Sequence, residues 1–514
     1  MAVNFNNIPS DIRVPLFYAE VDNSAANTAT STKQSLLIGQ TSTTNVPNLQ
    51  LGKAYLISSV SQARTTFGRG SQLALMVEAF KNQNATGTLW CIPVEVEGSK
   101  AKGQVDFEGE VVSAGTLSFY VGAKKVAVSC TSGDDAITIA SRFMSTINND
   151  SDLPVRATVL STTTEDESGE STTETVPTSI VLTAIDNGTY GDDILLSVNR
   201  KAYIGGEENV EGLNVAITQM SGGTGEIDLS KLTSLFEGDT FSYICSPTSD
   251  ATVLDAWKAE MNDSTGRWSY ARMQYGHVFS CLRGSAEELV TKGNSINDQH
   301  QSIVGIEPNF PEPAWLVAAA VTGRASAYLS IDPARPLQTG VLNGISGPLL
   351  EDKFGFTDRN TLLHNGIATL YEQSGNVMIE RCITTYKTNA FGDADNSYLD
   401  VTTLFTLAEI INTLKTAITS KYARHKLADD GTKFGPGQAI VTPSVIRSEL
   451  VAQYAKLETK GIVENSTLFN KYLIVERNAD DPCRIDVLLP PDLVNQLRIF
   501  ALQAQFRLQY SATD

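Results

Sequence analysis

The chain has 514 residues, enough for about two to four domains, and its apolar and charged contents of 41% and 19% are ordinary for a globular protein. Its net charge of −19 argues against general nucleic-acid binding, and no apolar run is long enough to span a bilayer. The first residues lack the basic and apolar regions of a secretion signal, and the six cysteines occur singly, so we expect reduced, mostly buried thiols.

The charge is distributed unevenly along the chain. Residues 402–514 contain 13 Lys and Arg against 12 Asp and Glu, a balance of +1, whereas the preceding residues have a balance of −20. This asymmetry indicates either an acidic, solvent-facing body with a neutral-to-basic end that meets a partner, or ordinary variation between domains.

The first predicted element is an extended, apolar segment at Ile12–Val21. Pro15 has no N–H for a β-ladder, so this segment is predicted to be an edge strand. Asn23–Lys33 is rich in Ala, Ser, Thr and Asn, which is typical of a flexible linker. Residues 1–33 are therefore interpreted as an N-terminal extended arm and linker.

The next elements have an α/β texture. Ser35–Gly39 and Leu89–Val96 are predicted strands, and between them Ser71 is predicted to cap an amphipathic helix. The same texture returns at 211–390, with strands at Phe241–Cys245 and His277–Cys281 and a buried helix over Pro313–Ser330. We therefore predict one α/β core domain formed by residues 34–100 plus 211–390.

Residues 101–210 differ from the core because Val, Thr, Ser and Gly dominate. Short β-like runs surround one predicted helix at Ala136–Asn149, whose apolar face is assigned to Ile137, Ala140, Met144 and Ile147. The polar, acidic stretch Ser161–Glu174 is interpreted as an exposed, mobile hairpin tip. This block is predicted to be an inserted β-rich outer domain.

Residues 391–502 are predicted to form a C-terminal domain of two helices over a small sheet. The first helix is predicted over Thr402–Lys426, and the second begins after a Ser444 cap and stops at Gly461. Strands are predicted at Lys471–Arg477 and Arg484–Leu489. The fold class is accordingly a multidomain α+β or α/β protein.

The last predicted strand, Gln503–Tyr510, alternates polar and apolar residues without a break. Its apolar face carries Ala504, Phe506, Leu508 and Tyr510. Chain ends fray unless something holds them, so this strand is predicted to pair with its own domain or with a neighbour's sheet edge. Residues 503–514 are therefore interpreted as a C-terminal strand arm.

No motif indicates a catalytic, cofactor or metal site, and none is predicted. The glycine-rich Ser221–Gly225 could cradle a phosphate, but it lacks a P-loop ending and a predicted strand leading into it, which favours a structural turn. Asp186–Asp193 lacks the spacing of a calcium loop. The four histidines form no metal-binding pair, and His277 lies in an apolar strand as a predicted core residue.

A basic cluster near the end of the first C-terminal helix has two interpretations. Its members are Lys415, Lys421, Arg424 and Lys426. Positive charge at a helix C-terminus complements the helix dipole, which is the favoured interpretation from the sequence alone. The alternative is that these side chains dock against an acidic partner surface.

A series of short motifs follows one order along some 500 residues of the chain. The motifs are Ile12–Pro15 with Tyr18 and Asp22–Ser24, Phe67–Phe80 with its FGxGS turn, Gly188–Ile194, Gly222–Gly225, Asn365–Ile367, Val377–Arg381 and Thr384–Tyr386. No single motif is specific, but in this order they resemble the contractile tail sheath proteins of bacteriophages, and the N-terminus resembles the Mu-like branch. Two motifs depart from the family pattern, because Asp192 stands where the family often has Asn and the glycine loop lacks the family's Asp.

The resemblance implies a structural subunit that polymerises around an inner tail tube and contracts to drive the tube through a host envelope. It implies that strands near Val14, Leu16 and Tyr18 and the C-terminal strand join the sheets of neighbouring subunits. The implied partners are further copies of the chain, the tube protein, and baseplate and tail terminator proteins, with no nucleic acid, membrane insertion or cofactor. The implied location is the virion tail sheath, assembled in the host cytoplasm.

Two other functions remain open from the sequence. The subunit physics is shared by R-type bacteriocins and related contractile injection systems, so the chain could be a sheath of such a machine. A less favoured alternative is a cytoplasmic α/β enzyme with the Gly222–Gly225 loop at its site.

Overall fold

The computed structural model describes residues 33–44, 46–165, 171–229, 238–435 and 437–508. The strands in these ranges are β1 Ser35–Gln40, β2 Tyr55–Leu56, β3 Leu89–Val94, β4 Lys102–Gly109, β5 Gly115–Val121, β6 Lys124–Cys130, β7 Val155–Glu165, β8 Ser171–Ala184, β9 Leu196–Val198, β10 Leu213–Ser221, β11 Tyr243–Cys245, β12 His277–Arg283, β13 Gln301–Ile306, β14 Gly340–Val341, β15 Ile367–Gln373, β16 Asn376–Arg381, β17 Lys426–Leu427, β18 Ile440–Val441, β19 Ile474–Arg477 and β20 Ile485–Leu488. The α-helices are α1 Val60–Phe67, α2 Gln72–Lys81, α3 Ala136–Asn149, α4 Ala251–Met261, α5 Ala286–Asn294, α6 Ala314–Leu329, α7 Phe356–His364, α8 Val401–Tyr422, α9 Pro443–Thr459 and α10 Ser466–Tyr472.

A nine-stranded mixed sheet lies at the centre, in the order β14-β16-β15-β13-β12-β11-β1-β3-β2. The strands from β15 to β3 run parallel, and antiparallel strands flank them on both sides. Parallel strands are covered on both faces, which explains why the residues of β1 and β13 are all buried. The strands predicted for the α/β core are confirmed, with small shifts at their ends.

Helices cover both faces of this sheet, as the period-two alternation of β1 shows. Leu37 packs into the core cluster that contains residues of α1, α2 and α6. Leu36 and Ile38 point the other way, into the cluster that contains Trp257 of α4. Helices α5 and α7 extend this second layer. The helix predicted over Pro313–Ser330 is confirmed as α6.

The β-rich block forms a four-stranded sheet, β10-β4-β8-β7, and a three-stranded sheet, β6-β5-β9, on either side of α3. Strand β10 lies beyond the predicted boundary at residue 210, yet it pairs along its length with β4. The predicted hairpin around Ser161–Glu174 corresponds to the β7–β8 pair, and residues 166–170 at its tip lie outside the described residues.

The apolar face predicted for α3 needs correction, although the helix itself has the predicted bounds. Ile137 is 48% exposed and Met144 is half-buried, whereas Ile139 and Phe143 are fully buried. Phe143 packs against Phe107 and Phe119 from the strands on either side, with ring centroids 5.3 and 4.8 Å away. The buried face of α3 is rotated relative to the predicted face, because the strands that pack on the helix determine which of its sides is covered. The periodicity of the helix sequence does not record where those strands lie.

In the C-terminal part, the first predicted helix is shorter than expected and the second begins earlier. Helix α8 ends at Tyr422, because Lys426 pairs with Ile440 in a two-stranded parallel ladder, so Arg424 and Lys426 are not helical. The cap of α9 is Thr442, with Pro443 in the first turn, whereas the hydroxyl of Ser444 bonds to Asp430 at 2.5 Å. The prediction of Ser444 as the cap was therefore wrong.

The strand predicted over Lys471–Arg477 is also corrected. Its first half belongs to α10, because the ring of Phe469 stacks on Tyr454 of α9 with centroids 3.7 Å apart. Only Ile474–Arg477 is strand, and it pairs antiparallel with β20. The α10 turn lies in the hydrophobic cluster of the two long helices, a contact that local propensity does not predict.

No helix among the described ranges is long and apolar enough to cross a membrane. Five of the six cysteines are buried and Cys483 is exposed, and all six are unpaired, in agreement with the prediction of mostly buried thiols.

Candidate functional site

The β19–β20 hairpin is held in place by α9. The hydroxyl of Tyr454 donates to the carbonyl of Glu464 at 2.8 Å and accepts the N–H of Asp492 at 3.0 Å. Asp492 follows β20 closely in the chain, so this hydroxyl fixes the exit of the hairpin against the helix. Tyr454 itself is fully buried. Helix α9 therefore holds the hairpin in a fixed position.

The hairpin forms a sheet of only two strands, and both of its outer edges lack a paired strand within the described ranges. Unpaired edges expose rows of N–H and C=O groups, and a two-stranded sheet is only marginally stable alone. Ile474, Val487 and Leu488 are large apolar side chains that remain exposed on it. These features are typical of a sheet that accepts further strands.

Beyond the hairpin, residues 499–508, which we call the tail, belong to no helix or strand. Apolar side chains in and just before it are 72% to 96% exposed, namely Leu497, Ile499, Phe500, Leu502, Phe506 and Leu508. Contiguous exposed apolar surface of this kind marks an interaction site. The tail therefore presents an apolar surface that the monomer leaves uncovered.

The predicted intersubunit residues fall partly within the described ranges. Ala504, Phe506 and Leu508 lie in the tail and are exposed. Val14, Leu16, Tyr18 and Tyr510 lie outside the described residues. Residues 503–508, the described part of the predicted terminal strand, form no strand with the other described residues.

Two of the four basic candidates lie on α8 and two lie beyond its end. Lys415 and Lys421 are on the exposed side of α8, and Arg424 and Lys426 follow its end and are exposed as well. Lys421 pairs with Glu449 of α9 at 2.7 Å. Burial raises the pKa of Glu449, but hydrogen bonds from Lys421 and Gln453 outweigh it and leave that pKa below its ordinary value. Lys421 therefore already has a partner within its own domain.

The glycine-rich loop is engaged in the fold. Strand β10 ends at Ser221 directly before it, so the prediction that no strand leads into the loop was wrong. The N–H of Gly223 donates to the carboxylate of Asp192 at 2.9 Å, and the N–H of Thr224 donates to the carbonyl of Ser99 at 3.2 Å. Two N–H groups that a phosphate would need are thus already used, which favours the interpretation as a structural turn.

A cavity of about 390 Å³ lies at the carboxyl ends of β1 and β12, where open α/β sheets bind their ligands. Two of its charged lining residues, Arg283 and Asp193, are paired with each other. Arg283 bonds to Asp193 and to the carbonyls of Pro308, Phe310 and Glu312, while Asp193 also accepts the first N–H of α6. Burial raises the pKa of Asp193, and Arg283 opposes that effect. These groups fasten the turn at residues 189–193 to the core.

Two of the four histidines, His277 and His300, are buried and bonded within the fold. His277 is buried, its Nε2 lies 2.8 Å from the hydroxyl of Ser302, and burial holds its pKa well below the ordinary value. His300 stacks on Trp268 and pairs with Asp263 at 3.1 Å. Within the described ranges no group of three or more His, Cys, Asp or Glu side chains could hold a metal ion.

Sequence reasoning missed the contacts that hold the start of the tail. Arg498 pairs with Asp400 at 2.9 Å, although 98 residues separate them. Burial lowers the pKa of Arg498, and the charge of Asp400 opposes that effect. One signal was available: Gln496 and Arg498 alternate with exposed Leu497 and Ile499, so the polar face of this segment is the covered one.

A chain with an uncovered apolar tail, an open-edged hairpin and internally paired polar clusters has the features of a structural assembly subunit. Two family models agree with this class: the phage tail sheath central domain matches residues 222–385, and the phage tail sheath C-terminal domain matches residues 393–507. A Mu-like prophage FluMu tail sheath protein of Haemophilus influenzae is 39% identical over 99% of this chain and 100% of its own length. The chain belongs to the phage tail sheath protein family, which confirms the resemblance drawn from the motifs.

Solved structures that match this chain include sheath tail proteins from two bacteria. The crystal structure from Desulfitobacterium hafniense is 12% identical, covers 94% of this chain and 97% of that one, and has a TM-score of 0.48. The crystal structure from Listeria innocua is 14% identical, covers 92% and 94%, and has a TM-score of 0.47. The helical sheath of the anti-feeding prophage in its contracted state is 12% identical, covers 98% and 100%, and has a TM-score of 0.45.

Proposed function

We propose that this chain polymerises with copies of itself around an inner tail tube, and that contraction of the polymer drives the tube through a host envelope. Membership of the tail sheath family supports the structural role. The observation that carries the proposal is the exposed apolar tail, which follows a hairpin with two open edges.

The tail supplies an exposed apolar segment, and the hairpin supplies open sheet edges that such a segment can join. Edge strands recruit extended segments through main-chain hydrogen bonds, and alternating side chains set the register. In the proposed polymer, β19 and β20 receive Gln503–Tyr510 from one neighbour and Val14–Val21 from another. Each subunit then buries apolar side chains such as Phe506 and Leu508, which are exposed in the monomer.

The domains take different positions in this polymer. Residues 391–502 face the tube, with Lys415, Arg424 and Lys426 directed toward an acidic tube surface, and residues 101–210 face outward. The near-neutral charge of 402–514 and the −20 balance of the remainder support this arrangement. The further partners are baseplate and tail terminator proteins, and the subunit is assembled in the host cytoplasm into the virion tail.

The mechanism requires no catalysis. The extended polymer is a metastable state, and contraction is favoured by new lateral contacts between subunits. The bodies of the subunits rotate during contraction, while the exchanged strands stay paired. Conformational changes of this kind draw on packed interfaces that have two discrete arrangements.

The experiment is removal of residues 503–514, followed by negative-stain electron microscopy of the purified chain. The full chain is expected to form hollow tubes or stacked rings, and the truncated chain is expected to stay folded, by circular dichroism, without assembling. A matched pair of variants separates side-chain burial from chain length: Phe506→Ser with Leu508→Ser is expected to prevent assembly, whereas Gln503→Ser with Gln505→Ser is not. Long tubes from the truncated chain would show that the tail is not donated.

A further inference from the structure

The carboxylate of Asp400 joins three separate parts of the chain. Asp400 is the residue before the first turn of α8. Its two oxygens receive Nε and Nη2 of Arg381, at the end of β16, at 3.1 and 2.8 Å. The oxygen that accepts Nε of Arg381 also accepts Nη2 of Arg498 at 2.9 Å. One carboxylate therefore connects the central sheet, the long helix and the segment that precedes the tail.

The segment before the tail has two further contacts, both with the connection between α6 and β14. Nη1 of Arg498 donates to the side-chain oxygen of Gln338 at 3.1 Å. The side-chain N–H of Gln496 donates to the carbonyl of Ala334 at 2.7 Å. The polar side chains of this segment are thus held to the body at two points, and the described residues that follow are exposed.

The other end of the described chain is held by α8 and α6. Lys33, the first described residue, pairs with Glu409 of α8 at 3.1 Å. Its Nζ also donates to the carbonyl of Leu329, the last residue of α6, at 3.4 Å. Lys33 is the last residue of the N-terminal arm predicted from the sequence, and its side chain lies beside the first half of α8.

Helix α8 contributes side chains to two hydrophobic cores, so it is well suited to hold both Lys33 and the segment before the tail. Phe405 in its first half stacks on Tyr243 of the central sheet, with ring centroids 5.0 Å apart. Further along the helix, Ile410 and Leu414 belong to the hydrophobic cluster of the C-terminal domain. A helix of 22 residues is about 33 Å long and behaves as one rigid rod between these cores.

We propose that Asp400, Arg498, Gln496, Lys33 and Glu409 form an arm anchor, a set of polar contacts on α8 and the adjoining α6–β14 connection that fixes where both arms leave the subunit. The role rests on the proposed function, because it concerns the geometry of strands donated to neighbours. Arg498 and Lys33 are positioning residues. The anchor sets the direction in which the tail leaves and keeps the two exit points at a constant separation.

Polar contacts suit this task better than apolar ones. A guanidinium that donates through two nitrogens to two separate acceptors, as Arg498 does to Asp400 and Gln338, has a defined orientation, whereas an apolar contact does not. The side chains of Asp400 and Arg498 are 19% and 11% exposed, so these contacts are largely shielded from water and salt. A constant exit direction allows the donated strand to meet its receptor in one register during assembly.

The test measures the tail in the monomer by double electron–electron resonance. Nitroxide labels are placed at Leu502→Cys in the tail and at Lys258→Cys on α4, in a Cys483→Ser background that removes the one exposed thiol. The parent protein is expected to give a narrow distance distribution. Arg498→Gln is expected to widen it at least twofold with little change in melting temperature, and Arg498→Lys, which keeps the charge, is expected to give an intermediate width.

The matched control is Arg142→Gln, which removes another partly exposed arginine–carboxylate pair, with Asp134, at helix α3 of the β-rich block. Its distance distribution is expected to equal that of the parent. Equal widths in the parent and in Arg498→Gln, or equal broadening in both variants, would overturn the anchor.

Electron microscopy of the same proteins then tests the consequence for assembly. Arg498→Gln and Lys33→Glu are expected to give short or irregular polymers, and Lys33→Glu combined with Glu409→Lys is expected to restore the parent's polymers. Normal polymers from Arg498→Gln would refute the anchor's role in assembly. If the unlabelled parent chain forms no polymer, the proposed function fails, whereas the distance measurement still decides whether the anchor exists.

Discussion

Replacement of Asp186 by Asn tests the electrostatics of the turn that joins the β-rich block to the core. Asp186 is 2% exposed and accepts the N–H of Gln72, the first residue of α2, at 3.1 Å. Burial raises its pKa from 3.8 to about 6, because it outweighs the opposing effects of the Gln72 N–H and the charge of Lys100. The native fold therefore contains a carboxylate that is costly to ionise.

The sign of the pH dependence follows from this raised pKa. Between about pH 4 and pH 6 the folded protein retains a proton on Asp186 that the unfolded chain releases. The contribution of this group to stability is therefore greatest below pH 4 and is lost as the pH rises through 6. A pKa difference of about 2 corresponds to about 3 kcal/mol over the whole window, of which about 2 kcal/mol falls between pH 4.5 and 7.5.

The assay is urea denaturation of the parent and of Asp186→Asn at pH 4.5 and 7.5. Asn keeps an oxygen that accepts the Gln72 N–H but has no charge, so the stability of the variant relative to the parent is expected to be about 2 kcal/mol higher at pH 7.5 than at pH 4.5. The comparison between two pH values cancels effects of the substitution that do not depend on ionisation. The same relative stability at both values would refute the argument.

Three further predictions concern the junction, the surface and the basic cluster. Phe405→Ala removes the buried ring that stacks on Tyr243 and is expected to lower the free energy of unfolding by about 3–5 kcal/mol; a loss below about 1 kcal/mol in urea denaturation would contradict the junction described here. Arg142 and the N–H of Thr131 hold the pKa of Asp134 below its usual range. Asp134→Asn is therefore expected to be less stable than the parent at pH 7, and this stability difference is expected to shrink as the pH falls through the native pKa of Asp134. A difference in melting temperature that stays constant with pH would refute this. Co-sedimentation is expected to show that exchange of the basic cluster for Glu weakens attachment to the tube more than self-assembly, whereas equal loss of both would argue against a tube-facing surface. That variant carries Lys415→Glu, Arg424→Glu and Lys426→Glu, and its charge-matched control carries Lys456→Glu, Lys460→Glu and Lys471→Glu.

The elements that the sequence predicted well are those whose signal is local. The continuous apolar runs around Ser35–Gly39 and His277–Cys281 are buried parallel strands, as their composition indicates. Ser71 caps α2 through its own hydroxyl, which accepts the N–H of Ala74. The family was likewise identifiable from the order of short motifs, because such motifs record local turns and caps.

The assembly surface was only partly predictable. The alternation of Gln503–Tyr510 indicated a strand that needs a partner, and the exposed side chains of Phe506 and Leu508 agree with that need. The basic cluster was predicted as one group on one helix, but α8 ends at Tyr422 and Lys421 pairs with Glu449. The helix end depends on the β17–β18 ladder, which joins residues 14 positions apart and has no signal within the helix itself.

The sequence by itself determined the α/β core, the β-rich block, the apolar tail and the family, since each of these depends on neighbouring residues or on a repeating period. Only the tertiary structure decided which side of α3 is covered, where α8 ends, and how the arms are held. Asp400 and Arg498 show the reason: they lie 98 residues apart, and their contact exists only because α8 is packed against the central sheet. Contacts between distant residues are set by how the elements pack, and no local pattern in the chain records them.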